Sequence, residues 1–234
     1  MGRAALVAML ATISVPIVIG VGEEIGIGWQ LVFLFAALLI LTGLWASRTR
    51  RAASTRVVET IGRLPGRYWL AWCLVVLVVS VEFAIVFWAS TLVERQIGVS
   101  LGDATLVAAA FYVGMATARV GLSFHAVGGR DPVWLMRASL AVALLGTLLA
   151  RIAGRVEEAG LGIYISGLGT GFLYPLGVTI TLALVPTLQD RGSARLILAS
   201  GVAILVSPFA LGLAADASDV STGWLLVPTL CLAA

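Results

Sequence analysis

Residues 68–93 read YWLAWCLVVLVVSVEFAIVFWASTLV, a run of 26 residues in which Glu82 is the one acidic or basic side chain. At a rise of about 1.5 Å per residue, a helix of this length crosses the roughly 30 Å hydrocarbon core of a bilayer with some tilt. A carboxylate near the middle of such a span costs on the order of 3 kcal/mol on insertion scales, so it is expected to face a partner or a water-filled path. Glu82 lies 14 residues after Tyr68 and 11 before Val93, and neither flank of the run offers a counter-charge. It is the first functional candidate.

Outward from this stretch the composition stays the same. The 234 residues are 60% hydrophobic and 12% charged, against about 45–50% and about 25% in soluble domains. Further apolar segments fall at 4–21, 31–46, 104–124, 133–150, 161–185 and 194–215, making seven spanning helices with 68–93; a last segment, 223–234, is too short to span. The expected fold class is all-α, a polytopic helical membrane protein. Segments 31–46 and 133–150 are apolar nearly all round and suit lipid-facing positions, whereas 68–93, 104–124 and 161–185 carry the polar groups and are expected inside. Cys73 and Cys231 both lie in apolar runs and read as small packing residues, so neither a disulfide framework nor a metal site is expected. No cleavable signal is evident, since the first 21 residues hold one arginine, a proline and no Ala-x-Ala pattern before Glu23.

The charges sort by side. The long connection 47–67, SRTRRAASTRVVETIGRLPGR, holds six arginines and one glutamate. When successive connections are assigned to alternate faces, 12 of the 15 arginines share its side, and Arg95, Arg151 and Arg155 fall opposite with most of the acids. Positive charge is retained in the cytoplasm, which places 47–67 and the N-terminus inside. The net charge of +3 is thereby topology, and no nucleic acid is expected as a partner. Within the loop, 55–61 is expected to be helical against anionic lipid.

The chain also repeats. Pro16-Ile-Val-Ile-Gly20 is followed by Gly28-Trp29, and 192 residues after Pro16 comes Pro208-Phe-Ala-Leu-Gly212, followed by Gly223-Trp224. The interval spans six helices, and parallel six-helix repeats build one large class of transporters.

Two enzyme-like patterns have better explanations. Gly98-Val-Ser100-Leu-Gly102 matches the G-x-S-x-G signature, whose serine needs a nearby histidine. The one histidine, His125, lies 25 residues on, roughly 37 Å at helical rise. Ser100 instead reads as a helix cap, with Asp103 completing a capping box. Gly167-x-Gly169-x-Gly171 lacks the strand that a phosphate loop requires, and Gly167 and Gly171 suit close helix packing. Tyr164, Gly167, Gly171 and Tyr174 share a face by their spacing, so the two tyrosines are candidates for meeting a substrate or for satisfying helix carbonyls. Gly167, Gly171 and the prolines Pro16, Pro175 and Pro208 are expected to govern bending or packing.

Several runs carry a family resemblance. Glu82-Phe-Ala-Ile-Val-Phe-Trp88 with Gly98-Val-Ser, then Phe111-Tyr-Val-Gly114-Met-Ala-Thr-Ala-Arg119, then Gly167-Leu-Gly169-Thr-Gly171-Phe-Leu-Tyr174-Pro175, then Ser207-Pro208-Phe-Ala-Leu-Gly212 resemble the seventh, eighth, tenth and eleventh helices of the major facilitator superfamily. Ala118 stands where that family usually has glycine, and His125 stands where its inner loop has an acid. The resemblance covers the whole chain, as the equivalent of helices five to twelve of a twelve-helix permease. It implies three parts: 1–46 as the last two helices of an N-terminal half, 47–67 as a cytoplasmic arginine-rich linker, and 68–234 as a C-terminal six-helix half with its last helix truncated. It further implies alternating-access transport of a small organic solute or ion, coupled to protons, with Glu82, Tyr164 and Tyr174 on the pathway. Arg119, Arg130 and Asp131 are implied at the inner gate.

The expected setting is multi-pass in the plasma (inner) membrane. Expected partners are the lipid bilayer, a small-molecule substrate and protons, with no cofactor. The alternative reading is a truncated, non-transporting helical membrane protein or scaffold, completed by further helices missing from this sequence. Enzyme chemistry is not expected, for want of a His, Cys or paired-carboxylate cluster.

Overall fold

A computed structural model describes residues 62–124 and 130–234, together with 33–38 and positions 18, 30, 40 and 41. The chain divides into two compact units, Met1–Ile61 and Gly62–Ala234. In the first, 33–38 and 40–41 are helical, and Phe33, Leu34 and Leu38 are exposed. Apart from position 18, the expected helix 4–21, with Pro16, lies outside the described residues, as do the arginine-rich residues 47–61 and His125.

The second unit is built wholly of helices among its described residues. Helix α1, Gly66–Ile97, starts after Pro65 and stops at Gly98, whose left-handed backbone (φ 79°) lets its N–H reach the Glu94 carbonyl at 2.9 Å. A residue with a Cβ would be strained there. Helix α2, Leu101–Ala108, begins at Ser100, whose Oγ accepts the Asp103 N–H at 3.1 Å. The Asp103 carboxylate completes the cap differently from a capping box: it accepts the Ser100 hydroxyl at 2.7 Å. After a one-residue turn at Ala109, α3, Ala110–Phe124, continues the same crossing. Helix α4, Pro132–Ile152, is capped by Asp131, whose Oδ1 accepts the Val133 N–H at 3.1 Å, with proline in the first turn. Helices α5, Val156–Ala183, and α6, Gln189–Ala217, follow, then the short α7, Val220–Gly223, and α8, Leu226–Ala233. Among the described residues, five crossings are long and apolar enough to span a bilayer: α1, α2 with α3, α4, α5 and α6. This is an all-α polytopic membrane architecture.

Hydrogen bonds give the helix directions. Tyr68 donates to the Gly192 carbonyl at 2.7 Å, Trp72 to Arg195 at 2.8 Å and Trp88 to Pro208 at 3.0 Å. Both partners advance together, so α1 and α6 are parallel. Across α4 and α5 the partners run in opposite senses: Gly146 meets Ser166, Gly162 meets Ala150 and Gly169 meets Ala143. Helices α3 and α5 are parallel again, with Gly167 on Phe111 and Gly171 on Ala118. A chain that crosses a bilayer back and forth has this pattern.

Close approach holds α5 at the centre. A Cβ on Gly146, Gly162 or Gly169 would overlap the backbone nitrogen of its partner on the facing helix. Lipid tails are as apolar as leucine, so what binds helices in a membrane is dispersion over closely fitted backbones. Buried hydroxyls bond back within their helix: Ser166 to the Ile163 carbonyl at 2.6 Å and Thr181 to Gly177 at 2.7 Å. Trp224, fully buried, donates from its indole to the Thr147 carbonyl at 3.0 Å, tying the end of the chain to α4.

One expectation about facing is corrected. Segment 133–150 was expected at a lipid-facing position because it is apolar nearly all round, yet α4 buries a stripe comprising Met136, Ser139, Leu140, Ala143, Gly146, Thr147 and Ala150. Of its most apolar stretch 39% is buried, against 28% for the Leu101–Gly121 crossing that was expected inside. The reason is steric: small residues on one side of α4 admit α5, whatever the polarity of the rest.

Candidate functional site

Glu82 stands 16 residues after Gly66 and 15 before Ile97, at the midpoint of α1. It is half-buried, and among the described residues Arg119 of α3 brings a charge within its electrostatic reach. Tyr112, seven residues before Arg119 and on the same face of that crossing by helical spacing, also lies within reach of Glu82. Helix α1 thus supplies a carboxylate, and α3 a phenol and a guanidinium. The counter-charge that residues 68–93 of α1 lack comes from a neighbour, whose arginine stem is long enough to carry its head along the helix.

Arg119 has a second engagement. Its Nε donates to the Gly171 carbonyl of α5 at 3.2 Å. Gly171 lies four residues before Pro175, inside α5. Proline has no N–H, so the carbonyl four residues earlier loses its usual helical donor. The guanidinium replaces that donor from the adjacent helix, which in a low-dielectric interior removes a cost of the size of a lost hydrogen bond. Arg119, Gly171 and Pro175 thereby form one connected arrangement across α3 and α5, and Glu82 of α1 lies within electrostatic reach of its guanidinium.

Gly167 and Gly171 lie on the α3 side of α5: Gly167 packs against Phe111 and Met115, and a Cβ on Gly171 would be 2.9 Å from that of Ala118. A larger residue at Gly171 would push α3, and Arg119 with it, away from the freed carbonyl. Tyr164 is half-buried, with its backbone against Gly114, and Tyr174 is 36% exposed. Arg130 lies over the Trp134 ring, 5.3 Å from its centroid, and Asp131 is engaged as the α4 cap. Arg119, Arg130 and Asp131 therefore have different described partners. Pro208 lies inside α6; its own carbonyl accepts the Trp88 indole, and the Trp88 ring covers Gly212. Next to it the hydroxyl of Ser207, 3% exposed, has no hydrogen-bond partner among the described residues.

The sequence reading did not single out Tyr112 or Ser207. The seven-residue spacing to Arg119 was the available signal for Tyr112, whereas nothing in the sequence distinguishes Ser207 from a helix-bonded serine. The architecture defines a polytopic helical membrane protein with a mid-span carboxylate. No family model, curated protein or solved structure matches the chain.

Proposed function

We propose that the protein is a membrane transporter that moves a small organic solute or ion by alternating access, of the major facilitator type, with Glu82 as the group that takes up and releases a proton. The observation that carries this reading is the Arg119 hydrogen bond to the carbonyl left open by Pro175, with mid-span Glu82 within electrostatic reach of the same guanidinium. While Glu82 is ionised it attracts Arg119; once protonated it no longer does, and the balance of forces on the guanidinium shifts toward α5. That helix already lacks one backbone hydrogen bond at this level, so bending it there costs less than elsewhere. Charge at mid-span is coupled in this way to helix shape, which is what proton-driven alternation between two openings requires. Arg130 and Asp131 belong to the gate at the arginine-rich end, and the charge bias supports that end as the cytoplasmic side of the plasma (inner) membrane.

The test is reconstitution of the full chain in liposomes with a pH-reporting dye inside, challenged with a panel of organic cations, anions and neutral solutes. At least one solute should dissipate or build a pH gradient with the native chain. Glu82→Gln, close to the protonated carboxyl in shape, should abolish that coupling while membrane insertion is unchanged. Unaltered proton coupling in Glu82→Gln would remove the site assignment. If no solute moves with the native chain, the transport reading gives way to that of a non-transporting helical scaffold.

A further inference from the structure

Helices α1 and α6 start side by side. Tyr68 donates to the Gly192 carbonyl, Trp72 donates to the Arg195 carbonyl, and Arg191 reaches back from α6 to the carbonyl of Gly62. Helical spacing puts Arg191, Arg195, Leu198 and Val202 on one stripe of α6, within roughly 60° of each other at about 100° per residue. All four are exposed. The stripe is therefore charged near the helix start and apolar further in. Trp72 borders it through the bond to Arg195, and Trp69 packs edge-on against Trp72 with ring centroids 6.0 Å apart. Indoles of this kind settle at the level of lipid headgroups.

The positive charge of this seam is unanswered. Arg195 lies within electrostatic reach of the Tyr68 hydroxyl, which places its guanidinium against α1, and Arg191 is placed there by its bond to Gly62. Among the described residues neither arginine has an ion pair. Asp190, the nearest acid in the chain, is turned about 100° from Arg191 and about 140° from Arg195 by helical spacing. Arg63, exposed and next to Gly62 in the chain, adds charge of the same sign. Like charges one helical turn apart repel, so an anion between Arg191 and Arg195 relieves a standing cost. Arg191 gives one of its amino groups to Gly62, and the guanidinium carries further N–H donors. Two such groups suit a tetrahedral phosphate, which arginine grips in bidentate fashion.

We propose that the α1–α6 seam binds an anionic phospholipid, with its phosphate between Arg191 and Arg195 and one acyl chain lying along Leu198 and Val202. The continuation of the arginine pair into exposed apolar residues on the same stripe is what favours a lipid over a soluble phosphate. Basic clefts between membrane helices hold anionic headgroups in this way. The site is independent of the transport reading.

Native mass spectrometry of the full chain tests it, with phosphatidylglycerol and phosphatidylcholine of identical acyl chains as probes. The native chain should retain phosphatidylglycerol about ten-fold more strongly, the ratio expected from roughly one net charge-assisted contact. The double variant Arg191→Gln, Arg195→Gln should lose that preference. Arg195→Gln alone, which keeps the Arg191 contact with Gly62, should lose most of it with melting unchanged. Arg95→Gln combined with Arg155→Gln, an equal charge change at the far end of α1 and before α5, should behave as the native chain. Excess glycerophosphate should leave the bound lipid in place. Equal retention of both lipids by the native chain overturns the proposal, as does full phosphatidylglycerol preference in Arg195→Gln or in the double variant. A loss in the Arg95, Arg155 pair equal to that in the Arg191, Arg195 pair overturns it too, since binding would then follow net charge alone. Displacement of the lipid by glycerophosphate would mark a site for soluble phosphates and overturn the choice of a lipid.

Discussion

Single residues here are decided by whether a polar group finds its partner. Asp219 illustrates this at the boundary of α7. Its Oδ1 accepts the Thr222 N–H at 2.8 Å and its Oδ2 the Thr222 hydroxyl at 2.8 Å. The Thr222 N–H, then the Thr222 hydroxyl, then the Ser221 N–H and the charge of Arg151 hold this carboxyl below the usual carboxylate range. Because the folded-state value is depressed, the cap stabilises fully above the ordinary carboxylate range, and its contribution is lost as pH falls through the lowered value. Asp219→Ala should therefore melt below the native protein near neutral pH. The gap should close in acid; a constant gap down to the end of the carboxylate titration would show that the carboxylate charge contributes nothing to the cap.

For helices, the deciding quantity is how close two backbones can come. The α4–α5 seam relies on Gly146, Gly162 and Gly169, each facing backbone that cannot rotate out of the way. Overpacking a tight core costs about 1–3 kcal/mol, and rigid backbone neighbours put these sites at the upper end. Gly146→Ala and Gly169→Ala should each lower the melting temperature clearly. Gly201, in α6, has no neighbour within 4 Å of an added Cβ, so Gly201→Ala should be neutral or gain up to about 1 kcal/mol of helix propensity. Melting of the three variants in one detergent separates the cases. Equal effects at all three would mean that the seam is not held by backbone contact. Pro175 belongs to this scale as well: it weakens α5 at the level where Arg119 reaches in.

At the scale of the whole Gly62–Ala234 unit, helix direction is the main result. Antiparallel α4 and α5 put the start of α4 and the start of α5 at opposite ends, with Arg130 before the one and Arg155 before the other. In a chain with Cys73 and Cys231 replaced, a cysteine at position 155 should be labelled by an impermeant reagent added to intact cells, and a cysteine at position 130 should not. The reverse pattern would invert the orientation drawn from the arginine bias, and labelling of both would contradict the alternation of crossings.

Much of this architecture was legible in the sequence because its causes are local. A largely apolar run of 26 residues specifies a crossing by length alone, and Ser100 begins a helix with its own side chain; the Asp131 cap and the Gly98 stop are equally local, although the sequence reading did not name them. Glu82 could be singled out because a carboxylate is costly wherever lipid surrounds it. What it meets was not legible: Arg119 comes from another helix, and the carbonyl that Arg119 holds lies 52 residues further on. The burial of α4 was likewise hidden, since a helix apolar on every face has no periodicity to say which face packs. Local chemistry determines where helices begin, end and cross, whereas only the fitting of backbone against backbone in three dimensions decides which small-residue face closes on which neighbour, and so which charges meet.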